Sequence, residues 1–181
     1  MTAASRKKGG LILLALGTLV ALSLAAVAAA AVINGTAGDD NLTGTRGADR
    51  MHGFAGNDTL TGRTGPDYLS GGRDNDTLNG NHGADVLRGR SGNDTLNGGP
   101  GPDTMYGGLG TDVLNGGIGP DKLHALAKDG VVDTLNCGPG PDVARIVADD
   151  TVKDTTVNCE KVVEVAGSTD EPGESEADPD A

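Results

Sequence analysis

The chain has 181 residues, 31 of them Gly, with three aromatic side chains (Phe54, Tyr68 and Tyr106) and no Trp. That composition excludes an ordinary globular core, and the apolar fraction is inflated by residues 11–33, which are almost entirely apolar. The formal charge is −12; residues 1–30 carry Arg6, Lys7 and Lys8 and no acid, so the remainder stands at −12 minus 3, or −15, a balance that argues against nucleic acid and anionic membranes and for cations or basic partners.

Residues 1–30 read as a secretory signal peptide. Arg6-Lys7-Lys8 form a basic start, an apolar run extends from Leu11 to Val27, and Ala28, Ala29 and Ala30 supply a small-residue end, with cleavage expected near Ala30 or Ala31. The alternative is an uncleaved anchor, because an apolar run of about 20 residues is long enough to span a bilayer. In both cases the remainder is expected outside the cytoplasm, secreted or at the cell surface.

From Gly35 to His124 the chain repeats every nine residues without an insertion. In register it reads GTAGDDNLT, GTRGADRMH, GFAGNDTLT, GRTGPDYLS, GGRDNDTLN, GNHGADVLR, GRSGNDTLN, GGPGPDTMY, GGLGTDVLN, GGIGPDKLH: ten units of G-G-x-G-x-D-x-U-x, with U a large aliphatic residue. A fixed short period dictates a stacked, quasi-one-dimensional architecture. Gly holds the first position in all ten units and the fourth in nine, Asp74 being the exception; the second is Gly only at Gly72, Gly99, Gly108 and Gly117. Such placement requires a positive φ or a close backbone approach. The G-x-x-G half predicts a turn and the D-x-U-x half a short strand, so two units make an 18-residue coil and alternate units stack. Leu42, Leu60, Leu78, Leu96 and Leu114 then form one inward ladder. Met51, Leu69, Leu87, Met105 and Leu123 face them, with a rise of about 4.8 Å per coil.

The sixth position is Asp in every unit: Asp40, Asp49, Asp58, Asp67, Asp76, Asp85, Asp94, Asp103, Asp112 and Asp121. Stacking puts carboxylates 18 residues apart within roughly one strand spacing, where they repel by about 1 kcal/mol in water and by several times that at an effective dielectric near 20. One Leu or Met per unit is a thin core with which to oppose that repulsion and the entropy of ordering the backbone. A hard divalent cation removes the difficulty. Ca²⁺ takes six to eight oxygens, accepting carboxylates together with backbone carbonyls, whereas the small octahedral shell of Mg²⁺ suits such a site less well.

Ala125 to Ala127 break the phase, after which two degraded units can be traced: one ends in Asp133-Thr134-Leu135, and the next is CGPGPDVAR, residues 137–145, in which Asp142 keeps its place. Residues 125–165, including the strand-like Lys161-Val162-Val163-Glu164-Val165, are expected to cap the array. Cys137 and Cys159 both lie here; in an exported chain an even count favours a disulfide, closing a loop of about 20 residues and contributing about 3 kcal/mol. A metal or redox site is the competing reading, weakened by the distance between the cysteines and the absence of a histidine in this segment. Residues 166–181, with six acids and no hydrophobic pattern, are expected to be a disordered acidic tail.

The block of residues 34–124 resembles the RTX, or haemolysin-type, calcium-binding nonapeptide repeat. The resemblance covers about half the chain and implies an all-β parallel β-roll, a β-helix-like solenoid, with Ca²⁺ held between successive same-side turns by the repeat aspartates and turn carbonyls. Carried over, the ten aspartates named above are the ligands, and pairing units n and n+2 gives 10 minus 2, or eight, interior sites. Asp74 puts the fifth turn in question, and Thr36, Thr45, Phe54 and Arg63, which replace the second Gly, are expected to weaken sites at that end. Family toxins, proteases and lipases place the roll beside an effector or catalytic domain and commonly leave through a C-terminal signal. This chain resembles instead the smaller secreted calcium-repeat proteins with a Cys-containing cap.

No catalytic constellation emerges. His52, His82 and His124 sit in variable positions and read as solvated substituents; Ser70 and Ser91 lack a nucleophile frame; there is no P-loop, dinucleotide fingerprint or H-E-x-x-H. The expectation is therefore a non-enzymatic, secreted or cell-surface calcium-binding repeat protein that folds on binding the ion. A second reading is a structural or adhesive surface protein in which calcium only rigidifies the rod and an unidentified cell-surface or matrix partner is engaged.

Overall fold

Each nine-residue unit forms one turn and one strand. The computed structural model describes residues 29–125, 129–147 and 154–165; the leader, most of the phase break and the acidic tail lie outside the described residues. In chain order the strands are β1 (Val32–Asn34), β2 (Asn41–Thr43), β3 (Arg50–Ala55), β4 (Thr59–Thr64), β5 (Tyr68–Arg73), β6 (Thr77–His82), β7 (Val86–Ser91) and β8 (Thr95–Pro100). They continue with β9 (Thr104–Leu109), β10 (Val113–Ile118), β11 (Lys122–Ala125), β12 (Thr134–Asn136), β13 (Val143–Val147), β14 (Thr155–Val157) and β15 (Lys161–Val165). No helix among the described residues is long and apolar enough to cross a membrane.

Odd-numbered strands form an eight-stranded sheet in the order β1-β3-β5-β7-β9-β11-β13-β15, and even-numbered strands a seven-stranded sheet from β14 to β2. Pairing is parallel, and in the repeat block every residue lies beside the one 18 positions away: Leu60 beside Leu78, Leu69 beside Leu87, Leu96 beside Leu114. The molecule is the expected all-β parallel solenoid, two strands to the coil, with about seven coils.

The coil count differs from the sequence reading. Ten units supply β2 through β11, or five coils, whereas the structure adds β1 before them and β12 to β15 after them. The described residues between 129 and 165 continue the same solenoid through β12 to β15, as degraded repeats would. The reason lies in register: Leu114 pairs with Leu135 and Leu123 with Ala144, so the D-x-U segment carries the stack across the extra residues. Between the sheets runs the predicted double ladder, with Met51, Leu60, Leu69, Leu78, Leu87, Leu96, Met105, Leu114 and Leu123 fully buried and Leu135 and Ala144 extending it. Leu42, in the first coil, is only partly buried. Cys137 and Cys159 form the disulfide, with Cα atoms 5.0 Å apart, and tie the last coils together.

Candidate metal centre

The turns are shaped by glycines doing two different jobs. At the first position of a unit φ is not positive; space is the constraint. A Cβ on Gly98 would strike Oδ2 of Asp103 and come within 2.6 Å of the Gly116 carbonyl oxygen. A carboxylate oxygen of the same unit and a carbonyl oxygen of the next coil are therefore gathered around a bare Cα. From the third unit on, the second position and, except at Gly83, the fourth instead turn left-handed, as at Gly101 with φ 143°. Three non-glycine residues accept that conformation in the early turns: Phe54 (80°), Arg63 (86°) and Asp74 (73°). The fifth turn, in question because of Asp74, therefore closes with Asp in the left-handed region, which Asp tolerates better than most residues.

The sixth-position aspartates do more than stack. The amide of each donates to Oδ1 of the aspartate in the next coil: Asp40 to Asp58 at 2.8 Å, Asp49 to Asp67 at 2.7 Å, Asp76 to Asp94 at 2.7 Å, Asp103 to Asp121 at 2.8 Å. This ladder runs the length of both sheets' turns, with the Ala31 amide opening it on Asp49 at 2.8 Å. One oxygen of each carboxylate is thus satisfied by the backbone, which the sequence reading did not anticipate. The other oxygen is not. Oδ2 of Asp58, Asp67, Asp76, Asp85, Asp94, Asp103, Asp112, Asp121 and Asp142 is buried without a hydrogen-bond partner, and each of these residues is at most 2% exposed.

The first two units behave differently. At Asp40, Oδ2 accepts the Thr36 amide at 2.6 Å and hydroxyl at 2.9 Å; at Asp49, it accepts the Thr45 amide at 2.5 Å and hydroxyl at 3.0 Å. Thr36 and Thr45 do not take the left-handed conformation of Phe54 and Arg63, so their amides turn toward the carboxylate. These four substitutions were grouped together on sequence, but they fall into two structural classes.

Burial without a donor raises the pKa values along the ladder. It pushes Asp67 up to about 6, Asp76, Asp94 and Asp103 to about 7, and Asp112 to about 8; the backbone amide opposes the rise in each case. Neighbouring ladder carboxylates add to it at Asp67, Asp76, Asp103 and Asp112. Asp58, Asp85, Asp121 and Asp142 are raised for the same leading reason.

An unsatisfied buried carboxylate oxygen beside a carbonyl oxygen can be satisfied by a proton or a cation. The donor set is all oxygen, as a hard cation requires, and so the residues fit Ca²⁺. Among the described residues no three His, Cys, Asp or Glu side chains cluster. A cation here would meet at most the carboxylates of successive same-side turns and would take its remaining oxygens from the backbone.

Four further residues belong to the ladder outside the predicted set. Asp112 donates to Asp133 and Asp121 to Asp142, both at 2.8 Å; Asp133 donates to Asp154 at 3.0 Å and Asp142 to Oε2 of Glu160 at 2.7 Å. The signal was present as D-x-U in Asp133-Thr134-Leu135 and Asp142-Val143-Ala144, obscured by the changed spacing. Two histidines also depart from expectation: His52 and His124 are not solvated but 8% and 7% exposed. His124 stacks on Tyr106 with ring centroids 4.6 Å apart, and burial, then Arg145 and Lys122, lower its pKa to about 4. His82 is exposed as expected. Ser70, fully buried, accepts the Arg90 Nε–H at 2.7 Å.

A family model described as RTX calcium-binding nonapeptide repeat (4 copies) matches residues 34–69, 61–96 and 88–123. No curated protein and no solved structure matches the chain.

Proposed function

Because residues 34–123 belong to the RTX calcium-binding nonapeptide repeat family, whose repeats bind calcium, we propose that this chain is a secreted or cell-surface, non-enzymatic protein whose solenoid folds on Ca²⁺ binding. The observation that carries the reading is the row of buried Oδ2 atoms without a donor from Asp58 to Asp121. When bound, Ca²⁺ supplies the positive charge that lets these carboxylates remain ionised while buried. In this reading Asp40, Asp49, Asp58, Asp67, Asp76, Asp85, Asp94, Asp103, Asp112 and Asp121 are the carboxylate ligands, used between successive same-side turns.

The chain's own part is positional. From Asp58 to Asp121 each Oδ1 is held by the amide of the preceding coil, which fixes the carboxylate and leaves Oδ2 directed at the bare first-position Gly. Coil stacking brings the next Gly carbonyl to the same place. Asp133 and Asp142 continue the Oδ1 ladder beyond the recognisable repeats, and Asp142 keeps a buried Oδ2 without a partner, so the row of candidate ligands extends at least to Asp142. The Cys137–Cys159 bond supports an extracellular setting, since disulfides persist in oxidising compartments. The matched repeat is described by calcium binding alone, which supports a non-enzymatic role.

Circular dichroism and calorimetry of the full mature chain test the proposal together. The β signal should form on adding Ca²⁺, with uptake of several ions per chain coupled to folding. A β signal already complete in chelator, with no heat on adding Ca²⁺, overturns it.

A further inference from the structure

The two outer faces of the solenoid carry different charge. Among the described residues, two outward columns flank each buried Leu or Met, and on the seven-stranded sheet they hold only Thr, Asn and Val. On the eight-stranded sheet the same columns hold Arg50, Arg88, Lys122, Arg145 and Lys161 and no acid, in a chain with 26 acidic and 14 basic residues. Arg50, Lys122, Arg145 and Lys161 are exposed. The net charge of −12 predicts a basic partner, but the ladder carboxylates from Asp58 to Asp121 sit in the turns at no more than 2% exposure. A partner lying on this sheet meets cations instead. Stacking sets their spacing: Arg50, Arg88 and Lys122 stand on β3, β7 and β11, two strand spacings or about 10 Å apart along the axis, and Arg145 and Lys161 follow on the next two strands. From β3 to β15 the run covers six spacings, about 29 Å. That length suits a linear polyanion rather than a small anion.

We propose that the outer face of the eight-stranded sheet binds a linear acidic polysaccharide, laid along the solenoid axis with its carboxylate or sulfate groups against Arg50, Arg88, Lys122, Arg145 and Lys161. This goes beyond the calcium reading and needs from it only the folded state. The rings on this face argue against a nucleic acid. Tyr106 lies between the Arg88 guanidinium, 4.8 Å from its centroid, and the His124 ring at 4.6 Å, while Arg50 covers Tyr68 at 4.3 Å. Bases, which bind single-strand sites by stacking on open aromatic faces, find no such platform at Tyr106 and at most one ring face at Tyr68. An acidic peptide gains affinity chiefly by adding to a strand edge, and a sheet face offers none. A sugar chain finds something further. Beside Arg50 and Tyr68 runs a groove walled by Val32, Ala48, Pro66, Ala84 and Val86, small apolar side chains that fit the C–H face of a sugar ring while Arg50 meets its acidic group. Asp49 and Asp67 also line the groove, but at 3% and 2% exposure they present little charge to it.

The test titrates fluorescently labelled heparin, as the acidic-polysaccharide probe, with the full mature chain in saturating Ca²⁺, beside neutral dextran, poly-glutamate and single-stranded DNA. Heparin should bind, and about 0.5 M salt should weaken it strongly. Dextran should not bind, and poly-glutamate and DNA should bind at least tenfold more weakly than heparin. The variant R50Q/K122Q/R145Q/K161Q should lose heparin affinity by about tenfold or more, and the single variants R50Q and R145Q by about two- to threefold each. The control R46Q/R63Q removes a turn cation and one on the seven-stranded sheet, and should stay within about twofold of the wild type. Circular dichroism in Ca²⁺ confirms that each protein is folded, which separates this result from failure of the calcium reading; the single variants keep the test open should the fourfold one not fold. A folded wild type that does not bind heparin overturns the proposal. So does an equal loss in R46Q/R63Q, which would make the attraction a matter of overall charge. DNA or poly-glutamate binding as tightly as heparin also overturns it, assigning the face to a nucleic acid or an acidic peptide.

Discussion

Asp40 and Asp49 occupy the same repeat position as the eight aspartates from Asp58 to Asp121, yet the Oδ2 of each has donors, while each of the eight keeps a buried Oδ2 without one. The difference traces to the second residue of the unit. Thr at that position turns its amide and hydroxyl onto the carboxylate; a left-handed Phe, Arg, Asn or Gly does not. A repeat can therefore use its aspartate in one of two ways, closing its own turn or holding an oxygen in reserve for a cation. The consensus Gly at the second position selects the latter.

The widest way to probe this contrast is pH, since it reaches every central carboxylate at once. In chelator, any solenoid that persists contains aspartates raised above their unfolded value of 3.8: Asp67 to about 6, Asp76, Asp94 and Asp103 to about 7, Asp112 to about 8. Groups with a raised folded pKa contribute stability that is complete below the unfolded pKa and lost as pH rises through the folded one. Metal-free stability should thus fall between about pH 4 and pH 8, checked by urea midpoints in chelator. Ca²⁺ needs the ionised form, so its affinity for a preformed roll should climb over the upper part of that range. An affinity that changes only near pH 4 would mean that the ion meets an unfolded chain.

Next in size is a pair of glycine substitutions at the fourth position. Gly101→Ala puts a Cβ against the Gly83 carbonyl at a φ of 143°, and should cost about 2–4 kcal/mol in Ca²⁺. Gly38→Ala, in the first unit, meets nothing within 4 Å and should stay within about 0.5 kcal/mol. Denaturant unfolding of the two variants reads the difference, and equal losses would show that the first turn is as tightly stacked as the central ones.

Much of this molecule was legible in the periodicity. The inward Leu and Met ladders, the 18-residue stacking and the cysteine pairing follow from residue spacing and exported context, and the structure shows each. Three things were hidden. The N–H to Oδ1 ladder is a backbone feature that no side-chain pattern announces. Phe54 and Arg63 adopt a conformation that side-chain sterics disfavour, so grouping them with Thr36 and Thr45 was the natural reading of composition and the wrong one in geometry. The last two coils were disguised because the phase break moved Asp133 to 21 residues beyond Asp112 while leaving its role unchanged. The basic face needed strand parity: Arg50, Arg88, Lys122, Arg145 and Lys161 are scattered in sequence and meet only when odd strands stack.

A smaller effect comes from removing charge while keeping shape. In Asp94→Asn the Oδ1 can still accept the Asp76 amide, so the coil contact survives, but the reserved oxygen becomes an amide nitrogen. In chelator above pH 7 the variant should be as stable as the wild type or more so, because a buried ionised group has been removed. In Ca²⁺ it should lose about 1–3 kcal/mol. Asp40→Asn should show no such inversion, since Thr36 already serves that carboxylate. Paired melts with and without the ion decide it; a loss at Asp94 in both conditions would make the residue structural rather than metal-directed.

The smallest expected change is the most specific. Thr45→Gly deletes the hydroxyl that bonds Asp49 and, by restoring the consensus glycine, lets the second position turn left-handed, as Gly72 does three units later with φ 128°. If the second residue decides how the aspartate is used, this substitution converts an early unit into a central one. The Asp49–Asp67 step should then bind Ca²⁺ more tightly by about 1 kcal/mol, the worth of the hydrogen bond that no longer competes. The gain should vanish in Thr45→Gly/Asp49→Asn, because the carboxylate it releases is gone. Calorimetric isotherms of the wild type and the two variants separate the outcomes. An unchanged isotherm in Thr45→Gly would mean that the Thr hydroxyl and the cation do not compete for Oδ2, and that the weakness of the first coil lies in its incomplete stacking, as the partial exposure of Leu42 already suggests.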